Sequence, residues 1–126
     1  MRESIRLTPV LTEGVPGQEV KIYLREASRC FIYGFFQASI ALSRAALEAG
    51  LNDHLRKTVG TIPEVDLATK VKKAAEYKLV SAASASLGHA VRISAREVLH
   101  QKPANENSAF DTLVQARGFL MELYAE

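Results

Sequence analysis

From Gln18 onward, Val20, Tyr23, Leu24, Ala27, Cys30 and Phe31 recur at spacings of three and four, while Glu19, Lys21, Arg25, Glu26 and Arg29 fall elsewhere. That period predicts an amphipathic first helix ending near Gly34. Residues 35–58 are rich in Ala and Leu and apolar around most of the circumference, the pattern of a central helix covered on several sides, with Gly50 as a possible bend. Thr61 stands three residues before Glu64 with Pro63 between them, a helix-start signature, so a third helix is expected from about Pro63 into the high seventies. The run Ser81 to Ser86 reads as close helix packing or a short break, since small residues let helix axes approach. A fourth helix is expected over roughly Ser86 to His100. The polar turn Lys102-Pro103-Ala104-Asn105-Glu106-Asn107 follows it, and Ser108 with Asp111 is expected to cap a last helix running to about Tyr124. Residues 1–17, with Pro9, Gly14, Pro16 and Gly17, have no helical period and read as an irregular arm. With no strand alternation and no fixed repeat, the expected fold is all-α: an antiparallel bundle of four to five helices over residues 18–126, preceded by that arm.

Composition narrows the function classes without choosing one. The chain has 126 residues, 48% hydrophobic and 24% charged, which suits one globular domain and excludes a disordered or collagenous polymer. A single cysteine, Cys30, excludes an internal disulfide framework and reads as a small core residue. The first residues carry charges where an export signal needs an apolar run, and no stretch is long enough for a membrane span. The expected location is the cytoplasm. A net charge of +2 does not by itself announce a nucleic-acid binder, so the distribution of charge must decide.

That distribution singles out two lines. At about 100° per residue, His89, Arg92, Arg96 and His100 share a sector roughly 80° wide on the fourth helix. Guanidinium forks hold phosphate, and a histidine of ordinary pKa moves protons near neutrality; the alternative is a solvated helix face. On the second helix Gln37, Arg44, Glu48 and Asn52 form a polar band on an otherwise apolar cylinder, with Arg44 and Glu48 spaced to pair. Arg117 interrupts the apolar face of the last helix and needs water or a carboxylate such as Glu48. Glu97 and His100 have the Glu-x-x-His spacing of di-iron bundles, but no second copy exists, so no metal and no other cofactor is expected.

The order of Val15-Pro16-Gly17-Gln18-Glu19-Val20, Tyr23-Leu24-Arg25-Glu26-Ala27, the second-helix run Gln37 to Glu48, a later Arg92 and His100, and Leu123-Tyr124 resembles the HEPN superfamily, particularly a bacterial branch known as a domain of unknown function. The resemblance covers roughly residues 15 to 125, and Arg44-Ala45-Ala46-Leu47-Glu48 is its most specific piece. It implies a helical bundle, often a homodimer, with a groove in which some members bind or cleave RNA without metal through an Arg and a His. Carried over, it points to Arg92, Arg96 and His100 as catalytic and to His89, Arg44 and Glu48 as groove residues. The chain departs from the pattern: seven residues separate Arg92 from His100, three separate Arg96 from His100, and Ala95-Arg96 stands where the branch has Gly-Asn.

Three functions are therefore expected in turn. The first is an RNA-directed domain, either a metal-independent endoribonuclease or a degenerate form that binds single-stranded RNA. The second is a non-catalytic homodimeric adaptor for a protein partner in a defence or regulatory assembly. The third is a bundle that binds a small molecule.

Overall fold

The computed structural model describes residues 17–100 and 102–125, and the expected arm over residues 1–16 lies outside them. Among the described residues five helices follow one another: α1 Gln18–Ile32, α2 Phe36–Val59, α3 Leu67–Glu76, α4 Ala82–Leu99 and α5 Glu106–Leu123. Among the described residues there is no strand, and the architecture is the all-α antiparallel bundle read from the sequence. Among the described helices α2 is central and packs against the four others; α5 lies against α1, α2 and α4, and α3 against α2 and α4. Leu24, Phe31, Ile40, Leu47, Leu51, Leu55, Leu113, Phe119 and Leu120 are fully buried between them. Each such side chain stabilises the fold by about 1.5–3 kcal/mol relative to exposure, before conformational entropy is set against it.

Two short side chains on α2 explain its close approach to α1. Ser39 donates its hydroxyl to the Ala27 carbonyl at 2.9 Å, and Ser43 donates to the Ser39 carbonyl at 2.9 Å. Both are buried, so their polar atoms are satisfied where larger residues would push the axes apart. Gly34, with φ 83°, ends α1 in the left-handed conformation that glycine adopts without a Cβ clash. Gly50 does not interrupt α2; it is buried where Leu120 of α5 presses in.

Three helix starts differ from expectation, each for a local chemical reason. Helix α3 begins at Leu67, not near Pro63, because Asp66 caps it by accepting the Thr69 N–H at 2.9 Å. Beginning there places Leu67, Lys70, Val71 and Ala74 on the buried face, whereas the turn before it contributes mostly exposed residues. Helix α4 begins at Ala82, ahead of the expected Ser86. Ser81 accepts the Ser84 N–H at 3.1 Å, and Glu122 of α5 accepts hydrogen bonds from the Ser81 N–H, the Ser81 hydroxyl and the Ser84 hydroxyl. A carboxylate delivered from another helix thus meets the positive end of α4. For α5 the cap is Asn105, with Ser108 as its reciprocal partner three residues on, in place of the expected Ser108 with Asp111. The small residues of α4 serve close packing: a Cβ at Gly88 would stand 3.0 Å from the Phe119 ring and 3.2 Å from Val71.

Two expected outcomes follow from this packing. Gly88→Val drives a branched side chain into a rigid buried ring and lowers stability by about 1–3 kcal/mol, read as a lower urea midpoint with an unchanged slope. Unchanged stability would mean that α4 and α5 are not in contact there. The hydrogen bonds from Ser84 and Ser81 hold the Glu122 carboxyl below its ordinary 4.5. Its contribution is therefore fully present above that ordinary value and lost as pH falls through the lower, folded value. Glu122→Gln accordingly flattens stability against pH in that acid window and lowers it at neutral pH; a curve parallel to that of the parent would reject the cap.

Candidate anion-binding recess

A recess of about 320 Å³ opens where α2, the start of α3 and the second half of α4 meet. Its lining is Arg44 from α2, Asp66, Leu67 and Ala68 from the cap and first turn of α3, and Arg92, Arg96 and Leu99 from α4. Arg44, remote in sequence, is thus brought to the same place as Arg92 and Arg96, which lie one turn apart on α4. Two other depressions are somewhat larger, about 390 and 350 Å³. The first has no ionisable side chain in its described lining, and the second mixes Glu19, Asp53 and Arg56, so neither carries a surplus of positive charge.

Arg44 joins the recess to an ion-pair network whose other members, Glu48 and Lys70, are not in the described lining. Glu48 accepts from Arg44 at 3.2 Å through Oε1 and from Lys70 at 3.1 Å through Oε2. The Lys70 side chain is only 7% exposed, so its ammonium depends on Glu48 for compensation. The Arg44–Glu48 pair matches the expected four-residue spacing, whereas Lys70 was not anticipated. Its signal was a cation on the Leu67, Lys70, Val71, Ala74 stripe, an anomaly of the same kind as Arg117. Arg117 itself is half-buried, with its Nε unpartnered among the described residues, and Glu48 has Arg44 and Lys70 as its partners.

On the far wall, Arg92 is half-buried with its Nε enclosed, and Arg96 is exposed. Asp66, also not anticipated, faces this wall from the α3 cap. Hydrogen bonds from Thr69 hold its carboxyl below the usual carboxylate range, and the Arg92 and Lys72 charges lower it further. It stays ionised and offers little basicity. The first backbone N–H groups of α3 have no partner within the helix, so the same corner carries the positive end of the helix dipole.

The two histidines of the predicted stripe do not line this recess. Burial, followed by the charges of Arg92 and Lys72, lowers the pKa of His89 below its ordinary 6.5, which leaves the ring neutral near neutrality. His100 is exposed and caps α4, its backbone N–H donating to the Arg96 carbonyl at 3.1 Å. Helical geometry explains the exclusion: His100 is eight positions beyond Arg92, about 12 Å along the axis and about 80° around it. Leu99, only about 20° from Arg92, takes the place facing the recess. Glu97, the partner of His100 in the metal-like spacing, pairs with Lys102 at 3.6 Å, and among the described residues no three His, Cys, Asp or Glu side chains gather as a metal site. Cys30 is half-buried on α1, and burial pushes its thiol up, away from nucleophilic use.

Among the described residues, no helix is long and apolar enough to cross a membrane. Comparison with protein-family models, with curated proteins and with solved structures finds no match to this chain. The HEPN resemblance therefore gains no support from any relative. The description of the chain as HEPN-like, RNA-binding, ribonuclease, homodimeric and bacterial is corrected to what is shown, an all-α bundle; its distinctive feature is an arginine-lined recess.

Glu48→Gln removes the charge that compensates Lys70 and Arg44. Because Glu48 is 31% exposed, water relieves part of the loss, and destabilisation of about 1–3 kcal/mol is expected. Adding Lys70→Met recovers much of it, since the orphaned ammonium goes as well. Additive losses in a double-mutant cycle would show that the pair carries no coupling.

Proposed function

We propose that the recess is an oxyanion site through which this chain holds a phosphate-bearing ligand without cleaving it. The convergence of Arg44, Arg92 and Arg96 on the first turn of α3 carries this reading. Guanidinium groups present paired donors that match phosphate oxygens, and a helix N-terminus adds backbone donors and a favourable dipole. The described lining carries Arg44, Arg92 and Arg96 against Asp66, and beside it Lys70 is offset by Glu48, which leaves two positive charges uncompensated by these carboxylates.

Binding is favoured over cleavage by what the lining lacks for proton transfer. A general acid or base must reach the reacting group directly or through one water. The described lining offers guanidinium groups, which do not titrate near neutrality, apolar side chains, and Asp66, whose lowered pKa makes it a poor base. His100, the expected proton carrier, is not among these residues.

Calorimetric titration with pyrophosphate and, separately, with a short single-stranded oligoribonucleotide tests this, because the two probes present phosphate on a small molecule and along a polymer. Binding of at least one probe is expected, with an affinity that falls as salt rises. Arg92→Gln and Arg96→Gln should each weaken it about tenfold, or ~1.4 kcal/mol. Absence of binding by both probes, or unchanged binding in the folded double variant, would reject the site. An oligonucleotide degraded in excess chelator by the parent protein and spared by Arg92→Gln would reject the non-cleaving part.

A further inference from the structure

We infer that the group held in this recess is the dianionic head of a phosphomonoester carried on an apolar body, and not a phosphodiester link within a chain. The inference rests on the oxyanion reading above and narrows it by three independent observations: charge, size and the chemistry of the rim.

The charge comes first. Four cations, Arg44, Lys70, Arg92 and Arg96, stand against Glu48 and Asp66, so the local surplus matches a group of charge near −2. A phosphomonoester carries about −1.5 to −2 at pH 7, whereas a diester carries one negative charge and leaves a guanidinium unmatched. Lys72 is exposed and outside the described lining, so water screens its charge, and the depressed pKa of His89 keeps that ring from adding a further charge.

Size and lining agree with that charge. The cavity of about 320 Å³ holds on the order of ten water volumes, enough for a phosphate and a ring-sized body, at the lower end of ligand pockets. Leu67 and Ala68 supply apolar wall, and Leu99 stands at the rim 77% exposed, directly beside the guanidinium groups. An isolated exposed leucine needs no explanation by itself. One that flanks an anion site gives the organic part of a monoester a surface to cover, which free phosphate would not use.

Asp66 tunes the same site. Its carboxylate caps α3 and opposes any incoming anion, more strongly the greater the anion's charge. Asp66→Asn keeps a residue that caps helices equally well while removing the opposing charge. The variant is therefore expected to fold and to bind a dianion more tightly, with a smaller gain for a monoanion.

The experiment compares phenyl phosphate, methyl phenyl phosphate and inorganic phosphate by amide-resolved NMR titration of the full chain at pH 8, where the monoester is fully dianionic. Phenyl phosphate should bind about tenfold more tightly than its methyl diester. Asp66→Asn should widen that ratio, and Leu99→Ser should weaken phenyl phosphate about threefold while leaving inorganic phosphate unchanged. Equal affinity for the two esters would overturn the monoester inference and leave the oxyanion site standing. Failure of all three probes would overturn the oxyanion site itself. An unchanged phenyl phosphate affinity in Leu99→Ser would remove the apolar body from the ligand.

Discussion

The Lys70 ammonium, nearly withdrawn from water, is paired with Glu48, which reaches it from the central helix and compensates its burial. Much of the recess depends on that constraint. Helix α3 is short and, among the described helices, lies against α2 and α4, so few apolar contacts fix where its first turn lies. Glu48 ties α3 to α2 one turn past the Asp66 cap and, with its other oxygen, orients Arg44. The same carboxylate therefore positions the helix N-terminus and one of the three guanidinium groups. The other two are placed by α4, whose register against α5 is set where Gly88 meets Phe119 and where Glu122 caps Ser81 and Ser84.

Fold class and helix order were legible because hydrophobic period decides them: the Val20 to Phe31 stripe and the apolar circumference of residues 35–58 leave little choice. Helix starts were less legible, because several residues compete to cap. Thr61 with Glu64 and Asp66 with Thr69 are both plausible starts in sequence, and the buried placement of Leu67, Val71 and Ala74 selects the second. The early start of α4 has a local signal, since Ser81 accepts the Ser84 N–H ahead of an Ala-rich turn; Glu122, which reinforces it, lies 41 positions from Ser81 and is invisible to any local rule.

The site was legible in the same uneven way. The periodicity of α4 correctly put Arg92 and Arg96 on one face, and the α2 band correctly contained Arg44 and Glu48. It could not say which edge of the sector faces a neighbour. Leu99 lies on one side of Arg92 and His100 on the other, and the Leu99 side is the one that meets the recess, at its exposed rim. A stripe read on one helix gives composition, whereas a recess requires the angular position of its neighbours. Asp66 and Lys70 carry no clear local signal for the complementary reason: the first caps a helix whose start is selected by burial, and the second is a charge on that helix's apolar stripe.

Gathering these guanidinium groups runs against stability. Like charges four apart on a helix face disfavour it by a few tenths of a kcal/mol, and Arg92 and Arg96 are such a pair, with Arg44 facing the same space. Glu48 relieves Arg44, and Asp66 relieves Arg92 in part, but each of these carboxylates is shared: Glu48 with Lys70, Asp66 with the α3 backbone. A bundle selected for stability alone has no use for this arrangement, since a neutral residue at Arg96 would lessen the repulsion at an exposed position. Local charge frustration in an otherwise consistent fold is what a binding site introduces, because the ligand supplies the missing counter-charge. In the recess Arg44 from α2 and Arg92 and Arg96 from α4 share one space with the first turn of α3, and that physical mismatch, more than any motif, is what favours the anion-site proposal.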